Sequence, residues 1–328
     1  MSLPASDAPA AARSARRPAA AALLPWIVLA LLAAFPFVAP SLGLEYYIAF
    51  VRRLLIFMIA AASLNFILGY GGMVALGHAG FVGVGAYTVV AMADAGHDAA
   101  WLMWLAAALV AALVALAIGA ISLRTRGVYF IMITLAFAQM LYYVAVSWRT
   151  YGGDDGYGIY APVSLGWFAA TGSHALYWAV LLLAAAVFWL LSRLSASRFG
   201  HALKGIRDNE TRMSALGYPV YRLKLAAFVT SAALAGLAGA LLAVNNAFVS
   251  PSIMHWTESA ALLVMVVVGG LGYRWGPVIG VGLWLTLVEV LRMYTDYWHW
   301  PMGVLLLAIV FFAPRGIAAW FDRRRSNA

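Results

Sequence analysis

Long apolar runs separated by short polar stretches fill almost the whole chain, and each run approaches the roughly 20 residues an α-helix needs to cross a bilayer. The pattern predicts about ten spans, at roughly 21–40, 46–68, 72–92, 101–122, 127–147, 174–194, 224–245, 257–271, 276–293 and 302–318. The chain therefore reads as an all-α polytopic membrane protein with both termini on one side. The first run has about spanning length behind a long leader, so it is read as an uncleaved span and not a signal peptide.

One polar stretch stands out, the loop 195–223 between the sixth and seventh runs. With its flanks it carries Arg193, Arg198, Lys204, Arg207, Arg212, Arg222 and Lys224 against Asp208 and Glu210. Asp208 or Asn209 can cap a helix start, Glu210 suits the positive end of a helix dipole, and Gly217 followed by Pro219 gives a stop. This predicts a short helix from Asn209 to Leu216. Leu203, Ile206, Met213 and Leu216 would share one side if the whole loop were helical. Such a loop is either a handle gripped by a soluble partner or an ordinary basic connector.

Charge orients the spans. With both termini in the cytosol, all of the 21 basic residues face inward except Arg149 and Arg292, which lie outside, and Arg52 and Arg53, near the outer end of the second span. The net charge of +9 thus reflects orientation and not a nucleic-acid surface, since no basic patch with interleaved aromatics occurs. The largest outer loop, 148–173, carries the adjacent acids Asp154 and Asp155. Residues 1–20 and 319–328 read as basic cytosolic tails, and 21–318 as the membrane domain. A hydrophobic fraction of 65% and a mean hydropathy of +0.90 fit nothing soluble.

Glycine interrupts two regions. Gly69, Gly71, Gly72, Gly77, Gly80, Gly83 and Gly85 crowd the third span, and Gly269, Gly270, Gly272, Gly276, Gly280 and Gly282 crowd the eighth and ninth. Broken segments in two halves of a transporter point to a midplane site, although these two do not hold equivalent positions. Close helix packing is the other reading, and the favoured one for Ala235/Gly239 and Gly276/Gly280. His78 lies deep among small residues, either as a packing residue or on a pathway. Glu258 reads as an outer-rim residue, Arg52 and Arg53 as side chains that snorkel to solvent from near the outer end of the second span, and Glu289 with Arg292 as a surface pair.

No G-x-x-x-x-G-K-[ST], H-E-x-x-H or G-x-S-x-G motif occurs, and the chain has no cysteine. It has no recognisable nucleotide, zinc or acyl-transfer site of its own, so it is not read as an enzyme and any ATP must act on another chain.

Several ordered motifs resemble those of a known family. They are Leu64-Asn65-Phe66-Ile67-Leu68-Gly69-Tyr70-Gly71-Gly72 running into Leu76-Gly77-His78-Ala79-Gly80-Phe81, then Gly83-Val84-Gly85-Ala86-Tyr87, Arg126-Gly127-Val128-Tyr129-Phe130, and Gly152-Gly153-Asp154-Asp155-Gly156. Ala215-Leu216-Gly217, Gly269-Gly270-Leu271-Gly272, Trp275-Gly276-Pro277 and Pro314-Arg315-Gly316 follow. From the second span onward the chain resembles the inner-membrane permease subunits of bacterial branched-chain amino-acid ATP-binding-cassette importers, in their LivM-like half.

The resemblance implies a type II importer-like fold, a LivH-like second permease, two cytosolic ATPases and a periplasmic solute-binding protein. It implies coupling to the ATPases through Asp208, Asn209, Glu210, Arg212, Met213 and Gly217, although Thr211-Arg212-Met213 stands where the family has small residues. Gly77, His78, Gly80, Gly83, Gly269 and Gly270 are expected on the pathway and Asp154 and Asp155 at the outer face. Urea, short amides or aromatic acids are alternative cargoes, and a self-contained secondary transporter or channel is the alternative of another class.

Overall fold

The computed structural model describes residues 31–40, 43, 45–160, 163–164, 173–313 and 316–319. The expected tail 1–20, the start of the first span and nearly all of the tail 319–328 lie outside the described residues, as does part of the 148–173 loop. The short apolar helix α1 (Leu31–Pro40) forms a separate unit, and the remainder, from Glu45 onward, forms the other.

That second unit is helical almost throughout. It comprises α2 (Glu45–Asn65), α3 (His78–Asp94), α4 (Ala100–Ser122), α5 (Val128–Ser147), α6 (Ser173–Ala196), α7 (Arg198–Asp208), α8 (Glu210–Ala215), α9 (Val220–Asn246), α10 (Trp256–Gly269), α11 (Gly276–Tyr294) and α12 (His299–Phe312). Among the described residues, six helices are long and apolar enough to cross a membrane, with shorter apolar helices beside them.

Small residues explain the core. In α9, Ala227, Ala232, Ala235, Gly236, Ala238, Gly239, Ala240 and Ala243 are buried, so neighbouring backbones approach to distances that Leu or Val would prevent. A Cβ on Gly239 would stand 1.8 Å from the Val82 carbonyl oxygen of α3, and one on Gly85 of α3 would stand 2.0 Å from the Gly236 carbonyl oxygen. On the other side, α4 turns Met103, Ala107, Ala111 and Ala115 inward. Their spacing of four residues makes a ridge that fits against α9. The helix α9 is the spine, with α2, α3 and α4 around it.

Two stretches repeat one sequence of moves. In each, a long helix (α2 or α9) is followed by a break in the α-helical chain (71–77, or 247–255 with its 3-10 turn Pro251–Met254), a short helix (α3 or α10) and two further helices. Tyr70, five residues beyond the end of α2, and Lys224, near the start of α9, both lie at the end of the bundle rich in Arg and Lys, so the two copies run in opposite directions. The third span, expected from residue 72, thus begins as a helix only at His78. The partner of the 71–77 break is 247–255, which contains no glycine, and not the glycine cluster around 269–282. That cluster is a tight hairpin. A Cβ on Gly280 would lie 1.8 Å from the Met265 carbonyl oxygen, and one on Gly269 would lie 1.9 Å from that of Gly276.

At the opposite end, β1 (Tyr157–Gly158) pairs antiparallel with β2 (Phe248–Val249), tying the chain after α5 to the chain after α9. Ala247 closes α9 in the left-handed conformation, with φ of 50°.

Candidate translocation and coupling site

The break after α2 starts inside the helix. Residues Phe66–Tyr70 form a π-helical turn, a local widening that recurs at functional sites. Non-helical backbone at membrane depth survives only where protein satisfies its polar groups, and buried polar side chains do so here for this break, for α2 before it and for the α10–α11 hairpin beside it. Asn65 donates to the Tyr273 carbonyl at 3.1 Å and accepts from the Gly272 N–H at 2.9 Å. Ser231 donates to the Ser63 carbonyl at 2.5 Å, and Thr134 Oγ1 lies 3.4 Å from the Leu76 N–H. At the start of α3, the Ala79 N–H donates to Ser259 Oγ of α10 at 3.0 Å. The first turns of the two short helices meet there.

His78 belongs to this seam. It is 1% exposed, its Nε2 lies 2.8 Å from Ser63 Oγ, and its ring meets Phe81 edge-on. The structure places it between α2 and α3 and outside the cleft described below. Gly77 backs onto the Thr134 carbonyl, Gly80 faces Ala138 and Leu141, and Gly83 receives the Met254 side chain from the second break. Gly69 faces Gly272. Gly269 is buried in the hairpin, and Gly270 turns it with φ of 117°, a conformation costly for any side chain.

The basic loop folds into α7 and α8. Ser197 caps α7, whose buried face holds Gly200, Ala202, Leu203 and Ile206. The short helix expected over Asn209–Leu216 is α8, capped by Asn209 Oδ1, which accepts from the Arg212 N–H at 2.8 Å. Gly217, with φ of 83°, turns the chain out of it. The four apolar residues do not share one exposed side. Leu203 and Ile206 are buried, Met213 packs on Gly205, and Leu216 is exposed, because the break at Asn209 swings α8 away from the line of α7.

Glu210 anchors α8, with Lys224 Nζ at 2.6 Å and Arg126 Nη2 at 3.4 Å. Asp208 holds Arg207 at 3.1 Å, and Arg207 Nη1 donates to the Gly69 carbonyl of the π-turn at 2.6 Å. Lys204 lies 5.1 Å from the Tyr70 ring centroid, and Phe199 stacks on Phe66. So α8, α7, the π-turn and the α10–α11 hairpin are joined through consecutive contacts. Arg212, Leu216, Tyr218 and Tyr221 are exposed beside this chain of contacts.

At the opposite end, Asp154 and Asp155 are exposed on a 3-10 turn, Gly153–Asp155. Nearby, the Tyr157 hydroxyl donates to Asp94 at 3.3 Å, and the Asp94 carboxylate raises the pKa of that phenol.

Sequence reasoning misplaced three charges. Arg52 is buried and donates to Asn245 Oδ1 instead of reaching for solvent. Glu258 lines a cleft with Ile56, Phe57, Ala60, Ala79, Val82, Ile253 and Leu262. Phe57 is the eleventh of the 24 residues in the span Tyr47–Tyr70, so Glu258 sits near mid-depth and not at a rim. Arg53, with its guanidinium carbon 5.7 Å from the Phe57 ring centroid, is about 8 Å from the middle of that span at 1.5 Å per residue. Both are exposed on the flank of the bundle. A charge facing lipid at such depth costs about 2.5–3.5 kcal/mol, so this flank faces water or protein. The signal available in the sequence was the helical spacing of Arg53, Ile56, Phe57 and Ala60.

Many apolar helices, two interrupted segments running in opposite senses and a buried polar seam that satisfies one of the breaks define a multi-pass membrane permease. A profile of the family described as branched-chain amino acid transport system / permease component matches residues 46–313. The chain belongs to this family. It is 29% identical over 287 residues to the high-affinity branched-chain amino acid transport system permease protein LivM of Escherichia coli, covering 80% of this chain and 68% of that one. A probable LivM of Methanocaldococcus jannaschii is 27% identical over 160 residues, 43% of this chain and 45% of that one. The E. coli permease protein LivH is 31% identical over 150 residues, 45% and 47% of the two chains. No solved structure matches.

Proposed function

We propose that this chain is the LivM-like permease subunit of an ATP-binding-cassette importer that carries branched-chain amino acids across the bacterial inner membrane. It works beside a LivH-like permease, two cytosolic ATPases and a periplasmic binding protein, with ten spans in a type II arrangement and both termini in the cytosol. The membrane domain is 21–318, with 195–223 as the coupling loop and 148–173 as the outer loop.

The observation that carries this reading is the linkage from α8 to the α2 break. Asn209 and Glu210 fix α8, Gly217 ends it, and Arg212 and Leu216 face outward where an ATPase cleft would hold them. Closure of the ATPases moves α8. Met213 against Gly205 passes the movement to α7, and Arg207, braced by Asp208, passes it to the π-turn. Rigid packed elements transmit such shifts without absorbing them. In this scheme the non-helical chain at Gly77–His78, followed by Gly80 and Gly83, is one moving part of the gate, and the Gly269–Gly270 hairpin is another. Asp154 and Asp155 present carboxylates to the binding protein.

The test is assembly and energetics. The chain co-purifies with two ATPases and a second permease, and leucine uptake by the reconstituted assembly stops when ATP is withdrawn. Gradient-driven flux through this chain alone would establish the secondary-transporter reading instead. Uptake of urea, a short amide or an aromatic acid with leucine refused would change the cargo and keep the machine.

A further inference from the structure

The cleft at Glu258 is the part of the molecule that the coupling scheme leaves unused. Its walls are apolar, formed by Phe57, Ile253 and Leu262 among others, and its polar lining comes from Glu258. Arg53 rises from the same face of α2, four residues from Phe57, with its guanidinium over that ring. Arg53 is near enough for its charge to act on Glu258, yet neither Arg53 nor Glu258 closes an ion pair with any described residue. His255 is occupied, with Nδ1 2.9 Å from Thr257 Oγ1 and its ring against Tyr142. Two opposite charges thus stand open on the flank of the bundle, Glu258 in the lining of an apolar cleft and Arg53 over the Phe57 ring that forms part of its wall.

We propose that Arg53 and Glu258 form a subsite for a zwitterionic amino acid. The guanidinium takes the α-carboxylate through paired N–H donors, the Glu258 carboxylate takes the α-ammonium, and the apolar side chain lies against Phe57, Ile253 and Leu262. Guanidinium–carboxylate pairs are directional and charge-assisted, and an apolar cavity with a few placed polar groups is the usual form of a small-molecule site. The proposal rests on the permease reading and extends it, since it places a selective step in the membrane subunit itself. A passing amino acid lacking either charge leaves one of the two residues unpaired, and rejection follows from that desolvation.

The absence of cysteine in the chain makes the test direct. Ile253→Cys is introduced, the full importer is assembled, and reaction with a membrane-impermeant thiol reagent is timed with and without leucine. Leucine slows the reaction at least about fivefold at several times its dissociation constant, as mass action requires. Isoamylamine and isovalerate, which each carry one of its two charges, do not. The protection disappears in Arg53→Gln and Glu258→Gln and is partly kept in Arg53→Lys and Glu258→Asp. Where a glutamine variant fails to assemble, the comparison of the three probes still decides. An Ile253→Cys assembly that carries leucine while its introduced thiol stays unreactive overturns the subsite and leaves the permease reading intact, as does equal protection by isoamylamine or isovalerate. A native assembly that does not carry leucine overturns the subsite together with the branched-chain cargo.

Discussion

Arg207 reaches across 138 residues of sequence to the Gly69 carbonyl, 2.6 Å away, and so fastens the basic helix α7 to the π-turn that follows α2. The carbonyl it holds lies within that π-turn. The charge-assisted bond does two things at once: it satisfies the widened backbone and makes α7 and α2 move together.

Removing that bond should uncouple the machine. A hydrogen bond to a charged group contributes about 1.5–3 kcal/mol. Arg207→Ala is therefore expected to lower leucine uptake per ATP hydrolysed by roughly ten- to a hundredfold, with Arg207→Lys between it and the native chain. Simultaneous measurement of uptake and phosphate release in proteoliposomes checks this. An unchanged ratio in Arg207→Ala would remove α7 from the coupling route.

The capping residue makes a local forecast. Asn209→Ala deletes the acceptor for the Arg212 N–H and costs about 1 kcal/mol. Trypsin should then cut after Arg212 about five times faster, because local opening exposes the bond. Asn209→Asp, which keeps an acceptor, should cut at the native rate.

Packing offers a matched pair in two glycines. A Cβ on Gly239 would meet the Val82 carbonyl at 1.8 Å, whereas one on Gly282 would meet nothing within 4 Å. Gly239→Ala should destabilise the detergent-solubilised subunit by at least about 1–3 kcal/mol, the usual range for overpacking. Gly282→Ala should be neutral or stabilising by up to about 1 kcal/mol, through lower chain entropy before folding. Thermal unfolding of the two variants side by side separates them.

Orientation can be read chemically. Leu216→Cys should react with an impermeant thiol reagent only in inside-out vesicles, and Asp155→Cys only in intact spheroplasts. Labelling of both from the same side would contradict the charge-based topology.

The α8 helix was legible because its signals are local: a cap at Asn209, an acid after it, a glycine at the end. The α9 spine was legible as an apolar run, and its Ala235/Gly239 face as a packing surface. What escaped was set by tertiary contacts. Residues 72–77 look like the start of a span, but the Leu76 N–H is taken by Thr134 and Gly72 packs on Arg207, both of which lie far away in sequence. The second break, at 247–255, carries no glycine to announce it. Depth was misjudged for Arg53 and Glu258 because a helix that begins part-way along the neighbouring span, as α10 does beside Phe57, cannot be told in composition from one that begins at the end of it.

The ladder of two residues between Tyr157–Gly158 and Phe248–Val249 is small, but it is a strap joining the loop that carries Asp154 and Asp155 to the chain that leads into α10 and its Glu258. A protein alighting on the acidic turn would therefore pull on the same strap that leads to the Glu258 cleft.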